Sequence, residues 1–213
     1  MTLSLPRLYA IVDAQQIQTG QTAARSPAEV TGALLAAGVR LIQYRDKKAN
    51  ARELYAGVLS LAGRVQRAGG RLIVNDRADV AWAAGADGVH LGQEDLPAAH
   101  ARSFLPKSKI LGLSTHSVAQ VEAADQAPVD YIAFGPIFTT GSKEKPEPVV
   151  GLQGLVEARK ATPKPLVAIG GITLENARSV INAGADSVAV ISALLSAEGV
   201  GEQARKFLAI LGD

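Results

Sequence analysis

Apolar residues in this sequence fall into eight short runs, separated by longer, alanine-rich stretches. The runs are Arg7–Val12, Val39–Tyr44, Arg71–Asn75, Gly88–Leu91, Lys109–Leu113, Asp130–Gly135, Pro165–Gly170 and Ser187–Ile191. Each is nearly continuous in apolar character rather than alternating, as expected of a parallel strand covered on both faces. Between them, Ala28–Ala37, Arg52–Ala68 and Leu152–Ala161 have helical length and composition. Several of these stretches end alike, in "AAGVRLIQ", "AAGADGVHL" and "NAGADSVAV", with a strand starting two or three residues after the glycine. Gly38, Gly85 and Gly184 are therefore expected to take the left-handed conformation that stops a helix sharply.

Eight strand–helix units in 213 residues predict an α/β chain folded as a single (β/α)8 TIM barrel over residues 1–213, at the short end of that fold's range. The rival is a doubly wound open sheet, which would more often carry a G-x-G-x-x-G turn after its first strand. "AIVDAQQ" has no such turn. Nor does any linker or break in composition divide the chain.

Composition narrows the function classes. A hydrophobic content of 47% is enough for a large core, and a formal net charge of +2 points to neither a nucleic-acid nor a membrane surface. There are no cysteines, which excludes disulfides, thiolate nucleophiles and cysteine metal sites together. At 4% aromatic residues a stacking platform for single-stranded nucleic acid is not expected. "MTLSLPRLYAIVD" is not a signal peptide, and no run approaches the roughly 18 apolar residues of a membrane span. The expectation is a cytoplasmic protein acting on small molecules.

In a barrel, chemistry gathers at the carboxyl ends of the strands, and the unusual residues fall there. The second strand ends in "QYRDK", where alternation puts Gln43, Arg45 and Lys47 on one side. The third ends at Asn75-Asp76-Arg77, the fourth runs into Glu94-Asp95, and the fifth ends at Ser114-Thr115-His116. The seventh ends at Gly170-Gly171 and the eighth at Ile191-Ser192. Past the sixth, "GPIFTTGSKEK" collects Thr139, Thr140, Gly141, Ser142, Lys143 and Lys145. That segment reads either as a solvated loop or as one that closes over a phosphate, with Gly141 giving it freedom to move.

Singly, each residue has a plain alternative. Arg45 and Lys47 could be surface charges, Asn75, Asp76 and Asp95 helix caps, and His116 a cap or a general base. His90 is expected to pack against its neighbours and His100 to lie in a helix, neither with an assigned role. No histidine pair has zinc-ligand spacing. Co-location carries the case. Gly170-Gly171 and Ile191-Ser192 lie where barrels commonly hold a monophosphate, and Arg45, Lys47 and Lys143 suit a second anion. Asp76 and Asp95 suit Mg2+, which is often held by one or two carboxylates plus substrate phosphates. A two-substrate transfer with pyrophosphate leaving would use both anion sites.

The blocks "LIQYRDK", "LIVNDRADVAWAAGADGVHLGQEDLP", "LGLSTHS", "YIAFGPIFTTGSK", "PLVAIGGIT" and "DSVAVISALL" resemble the thiamine-phosphate synthase (thiamine-phosphate pyrophosphorylase) family, in that family's order, from about Tyr9 to Leu195. The resemblance implies a transferase. It would join 4-amino-2-methyl-5-hydroxymethylpyrimidine diphosphate to thiazole phosphate or its carboxylate in a dissociative, Mg2+-assisted substitution. By the same resemblance Gln43, Arg45, Lys47, Asn75, Ser114 and Lys143 would contact the pyrimidine diphosphate, Arg45 and Lys143 acting in catalysis. Asp76 and Asp95 would bind Mg2+, and Thr140, Gly141, Ser142, Gly171, Ile191 and Ser192 would hold the thiazole phosphate. Two positions depart from the family pattern: Thr139 stands where a proline is usual and Ser142 where a threonine is. The rival readings are a thiazole tautomerase, for which His116 would move the proton, and a catalytically silent barrel that senses a thiamine precursor.

Overall fold

The computed structural model describes residues 3–19, 25–141 and 147–213. Eight strands, β1 (Leu8–Asp13), β2 (Leu41–Arg45), β3 (Arg71–Asn75), β4 (Gly88–Leu91), β5 (Ile110–Thr115), β6 (Tyr131–Phe134), β7 (Leu166–Ile169) and β8 (Ser187–Val190), pair in sequence order into a closed barrel. Every pairing is parallel, including β1 with β8. Around them run α1 (Ala14–Thr19), α2 (Pro27–Ala37), α3 (Ala51–Arg67), α4 (Ala78–Ala83), α5 (Ala98–Phe104), α6 (Val118–Gln126), α7 (Gly151–Ala161), α8 (Leu174–Asn182), α9 (Ser192–Leu195) and α10 (Val200–Leu211).

All eight expected runs are strands, displaced at their ends for identifiable reasons. The second starts at Leu41 rather than Val39 because the Val39 amide turns back to the Leu34 carbonyl at 3.0 Å and finishes α2. Gly38 is left-handed there at φ 109°, and Gly85 and Gly184 also have positive φ, as the sequence predicts. Strand β1 runs on to Asp13, a polar residue beyond its apolar run, and β5 to Thr115, within the polar end expected for the fifth strand. At their starts α2 and α3 are fixed by capping boxes, Ser26 with Glu29 and Asn50 with Glu53.

The core has two parts. Outward strand residues such as Val12, Ile42, Leu72 and Val188 pack against the helices, while Tyr9, Leu41, Ile73, Ile110, Tyr131, Ala133, Val167 and Ala189 fill the barrel. Small residues make room inside. A Cβ on Gly112 would fall 2.0 Å from the Tyr131 ring, so that ring occupies the volume of the missing side chain. Along inward positions polarity rises toward the carboxyl end, Leu41 to Gln43 to Arg45 on β2 and Ile73 to Asn75 on β3.

At the opposite, amino end, four aspartates accept strand amides. Asp87 takes Leu72 N–H at 2.8 Å, Asp130 takes Leu111 N–H at 2.7 Å, Asp186 takes Leu166 N–H at 2.8 Å and Asp213 takes Leu8 N–H at 3.0 Å. Arg102 and Arg159 pair with Asp130 and Asp186 at 2.6 and 2.8 Å. Among the described residues no helix is long and apolar enough to cross a membrane.

Candidate active site

Polar side chains cluster where the inward polarity gradient ends, at a cavity of about 480 Å3 in the barrel mouth. Gln43, Arg45, Asn75, Ser114 and His116 line the arc from β2 to β5. Thr139, Thr140, Gly141, Gly170, Gly171, Ile191 and Ser192 line the arc from the segment after β6 round to the start of α9. The structure therefore gathers nine of the expected site residues around one cavity: Gln43, Arg45, Asn75, Ser114, Thr140, Gly141, Gly171, Ile191 and Ser192. Ser142, Lys143 and Lys145 lie outside the described residues.

Gly171 is needed for shape as well as for open backbone. Its φ is +65°, and a Cβ there would come 2.6 Å from the Thr139 carbonyl oxygen and 2.7 Å from Phe138 Cβ. Before it, Ile137 N–H donates to the Ile169 carbonyl at 2.9 Å and Phe138 N–H to the Gly170 carbonyl at 3.2 Å, fastening this segment to the end of β7.

Lys47, Asp76 and Asp95 stand just outside the cavity lining and belong together. Lys47 Nζ lies 3.0 Å from Asp76 Oδ2. Asp95 Oδ2 accepts Gly92 N–H at 2.6 Å, and the Asp95 carboxyl also interacts with that of Asp76. Burial pushes the Asp95 carboxyl above its ordinary pKa and the Asp76 charge adds to the rise, against the Gly92 amide and Lys47. Neither aspartate caps a helix: the N-cap positions of α4 and α5 are Arg77 and Pro97, both without a side-chain cap bond.

Asp76 is also the only non-glycine residue with positive φ among the described residues, at 65°. Its N–H donates to the His90 carbonyl at 2.8 Å, holding it there. Such a conformation in a non-glycine residue is uncommon and uphill, and observed cases cluster at functional sites. Two facing carboxylates make a hard oxygen donor set, which fits Mg2+. Among the described residues no group of three or more His, Cys, Asp or Glu gathers as a metal site, so a cation on these two carboxylates would take its further oxygens from water or a bound ligand.

Two residues to which the sequence reading gave no role, Asp13 and His90, belong to the candidate site, and His116 is placed otherwise than as a helix cap. Asp13, 1% exposed, pairs with the Arg45 guanidinium and also accepts Gln16 N–H at 2.9 Å. Its signal was a carboxylate closing an apolar run, "LYAIVD". His90 does more than pack. One ring nitrogen meets Ser114 Oγ at 2.8 Å and the other the Tyr131 hydroxyl at 2.9 Å. His116 is not a cap, a position held by Ser117; its Nδ1 meets the Gly135 carbonyl at 2.5 Å.

Comparison with known proteins comes to the same place. The family model described as thiamine monophosphate synthase matches residues 8–194. The thiamine-phosphate synthase of Koribacter versatilis is 51% identical over 212 residues, 98% of this chain and 97% of that protein. That of Chloroflexus aurantiacus is 42% identical over 205 residues, 96% of this chain and 92% of that protein. Among solved structures, thiamine phosphate pyrophosphorylase from Pyrococcus furiosus superposes with a TM-score of 0.86 at 34% identity, covering 97% of this chain and 95% of that one.

Proposed function

The chain belongs to the thiamine monophosphate synthase family, and from that premise we propose how its cavity works as a thiamine-phosphate synthase, a transferase of thiamine biosynthesis. The substrates are 4-amino-2-methyl-5-hydroxymethylpyrimidine diphosphate and thiazole phosphate or its carboxylate. The pyrimidine diphosphate is received by Gln43, Arg45, Lys47, Asn75, Ser114 and Lys143. The thiazole phosphate is received by Thr140, Gly141, Ser142, Gly171, Ile191 and Ser192. Asp76 and Asp95 hold Mg2+, which when bound supplies positive charge against the leaving diphosphate.

The bond between the pyrimidine methylene carbon and the diphosphate oxygen breaks first, its electron pair leaving with the oxygen. The amino-substituted ring spreads the resulting positive charge. Arg45, oriented by Asp13, and Lys143 neutralise the charge growing on the departing group, commonly the largest catalytic term in such chemistry. The thiazole nitrogen then gives its lone pair to the methylene carbon. That nitrogen is already a nucleophile, so no protein base is required, in keeping with the lack of an acid–base dyad in the motif set.

The observation that carries this reading is the convergence of Gln43, Arg45, Asn75 and Ser114 on the same cavity as Gly171, Ile191 and Ser192, beside the facing Asp76 and Asp95. It is tested by following pyrophosphate release from the pyrimidine diphosphate with Mg2+, with and without thiazole phosphate. Release coupled to thiamine phosphate formation is expected; no release with both substrates present overturns the reading.

A further inference from the structure

Five side chains cross the barrel interior in one unbroken line of hydrogen bonds. Gln43 Nε2 donates to the Tyr9 hydroxyl at 2.9 Å. The Tyr9 and Tyr131 hydroxyls lie 3.1 Å apart. Tyr131 meets His90 Nδ1 at 2.9 Å, and His90 Nε2 meets Ser114 Oγ at 2.8 Å. The members are all buried, and Tyr131 packs edge-on to Tyr9 and stacks on His90. Both ends, Gln43 and Ser114, line the cavity, as does His90.

Counting protons fixes the direction of the line. Each phenol has one proton to give, and burial pushes both phenols up, away from ionisation. Tyr9 accepts from Gln43, so its own proton goes to Tyr131. Tyr131 in turn gives its proton to His90 Nδ1, which must be bare. The imidazole proton is then on Nε2 and points at Ser114 Oγ, leaving the serine proton for the cavity. At the other end Gln43 Oε1 has no hydrogen-bond partner among the described residues. The cavity thus meets an acceptor at Gln43 and a donor at Ser114, and neither can reverse unless the whole line reverses.

We propose that Tyr9, Tyr131 and His90 are positioning residues that set this polarity, and with it selectivity for a 4-aminopyrimidine over its 4-oxo counterpart. This rests on the reading of Gln43 and Ser114 as contacts of the pyrimidine diphosphate. An amino group brings an N–H to the Gln43 carbonyl, while Ser114 donates to an acceptor elsewhere on the same substrate. A 4-oxo group brings an acceptor to Gln43, where the fixed line offers another acceptor.

The first test needs only the wild-type protein. The chain has three histidines, so 15N NMR of histidine-labelled protein near pH 7 can assign each. His90 is expected as the Nε2–H tautomer. His116, with Nδ1 against the Gly135 carbonyl, is expected as the opposite tautomer and serves as an internal reference. His90 with its proton on Nδ1, or on both nitrogens, overturns the polarity. The second test measures inhibition by 4-amino-2,5-dimethylpyrimidine and its 4-oxo counterpart in the presence of Mg2+ and pyrophosphate. Tyr131→Phe and Tyr9→Phe should each reduce the amino-over-oxo preference about tenfold, the scale of one net hydrogen bond, with affinity for thiazole phosphate unchanged. An unaltered preference in folded variants overturns the proposal. A wild-type protein that releases no pyrophosphate overturns the functional reading instead, whatever tautomer His90 has.

Discussion

Aspartates stand at both rims of this barrel, in opposite circumstances. At the amino rim, Asp87, Asp130, Asp186 and Asp213 each accept the N–H of a strand residue, and two of them hold an arginine besides. At the carboxyl rim, Asp76 and Asp95 face each other with Lys47 against one of them, and Asp76 is held left-handed to do so. The amino-rim carboxylates complete the backbone's hydrogen bonding, which folding rewards. The carboxyl-rim pair brings like charges together, which folding alone does not reward. One residue type therefore stabilises at one end and spends stability on a site at the other.

The largest effect should come from Asp76→Asn and Asp95→Asn. Each is expected to lower kcat/KM by on the order of 10²–10³, the scale of one preorganised electrostatic contact, with part of the loss recovered at higher Mg2+. Asparagine tolerates positive φ, and a neutral group beside the remaining carboxylate removes a repulsion. Melting temperatures should thus hold steady or rise slightly. Activity that survives both changes would erase the distinction between the rims.

Asp13→Asn comes next. It leaves Arg45 charged but no longer aimed, and kcat/KM for the pyrimidine diphosphate should fall roughly 10- to 100-fold, as for a displaced positioning group. Steady-state kinetics with the thiazole phosphate saturating will show it. At the amino rim, Asp130→Ala strands the Leu111 N–H and takes from Arg102 its carboxylate partner, leaving that guanidinium only its bonds to the Pro106, Lys109 and Pro128 carbonyls. Stability should drop by about 2 kcal/mol, lowering the melting temperature by roughly 4–8 °C, while kcat stays within about twofold. A matching loss of kcat in folded protein would mean that the two rims are not separable.

The smallest effect belongs to an exposed aspartate that takes part in neither arrangement. Asp79 pairs with Arg77 at 2.6 Å, both well exposed. Its carboxyl is lowered by that bond, so the stability it adds is present above the unfolded pKa and lost as pH falls through the folded one. At this exposure Asp79→Asn should change stability by less than about 0.5 kcal/mol at pH 7, as denaturant titration will read.

Most of the fold was written in apolar runs and post-helical glycines, because continuous burial and sharp helix stops leave one-dimensional traces. The cavity-lining residues at strand ends were legible for the same reason: Gln43, Arg45, Asn75 and Ser114 interrupt patterns that are otherwise apolar. What could not be read was pairing across distance. Nothing local in the sequence tells that Asp13 holds Arg45, or that His90 joins Tyr131 to Ser114. The left-handed turn at Asp76 was equally hidden, since its cause is a hydrogen bond to the next strand. The amino-rim aspartates had a visible sign, the repeated "GAD" before a strand in "GADGVHL" and "GADSVAV". The glycines there drew the attention, and the carboxylates did not.

The Tyr131 ring inside the space of the absent Gly112 side chain has an evolutionary consequence. The two positions share a single allotment of volume, so neither can drift alone. A larger residue at 112 becomes admissible only after 131 has shrunk, and shrinking 131 first opens a void beside Tyr9. Divergent sequences of this fold should therefore change the two together or keep both, and in an alignment the columns should covary. Wherever a relative has crossed that barrier, the interior hydroxyl line between Tyr9 and His90 must have been rebuilt in the same step.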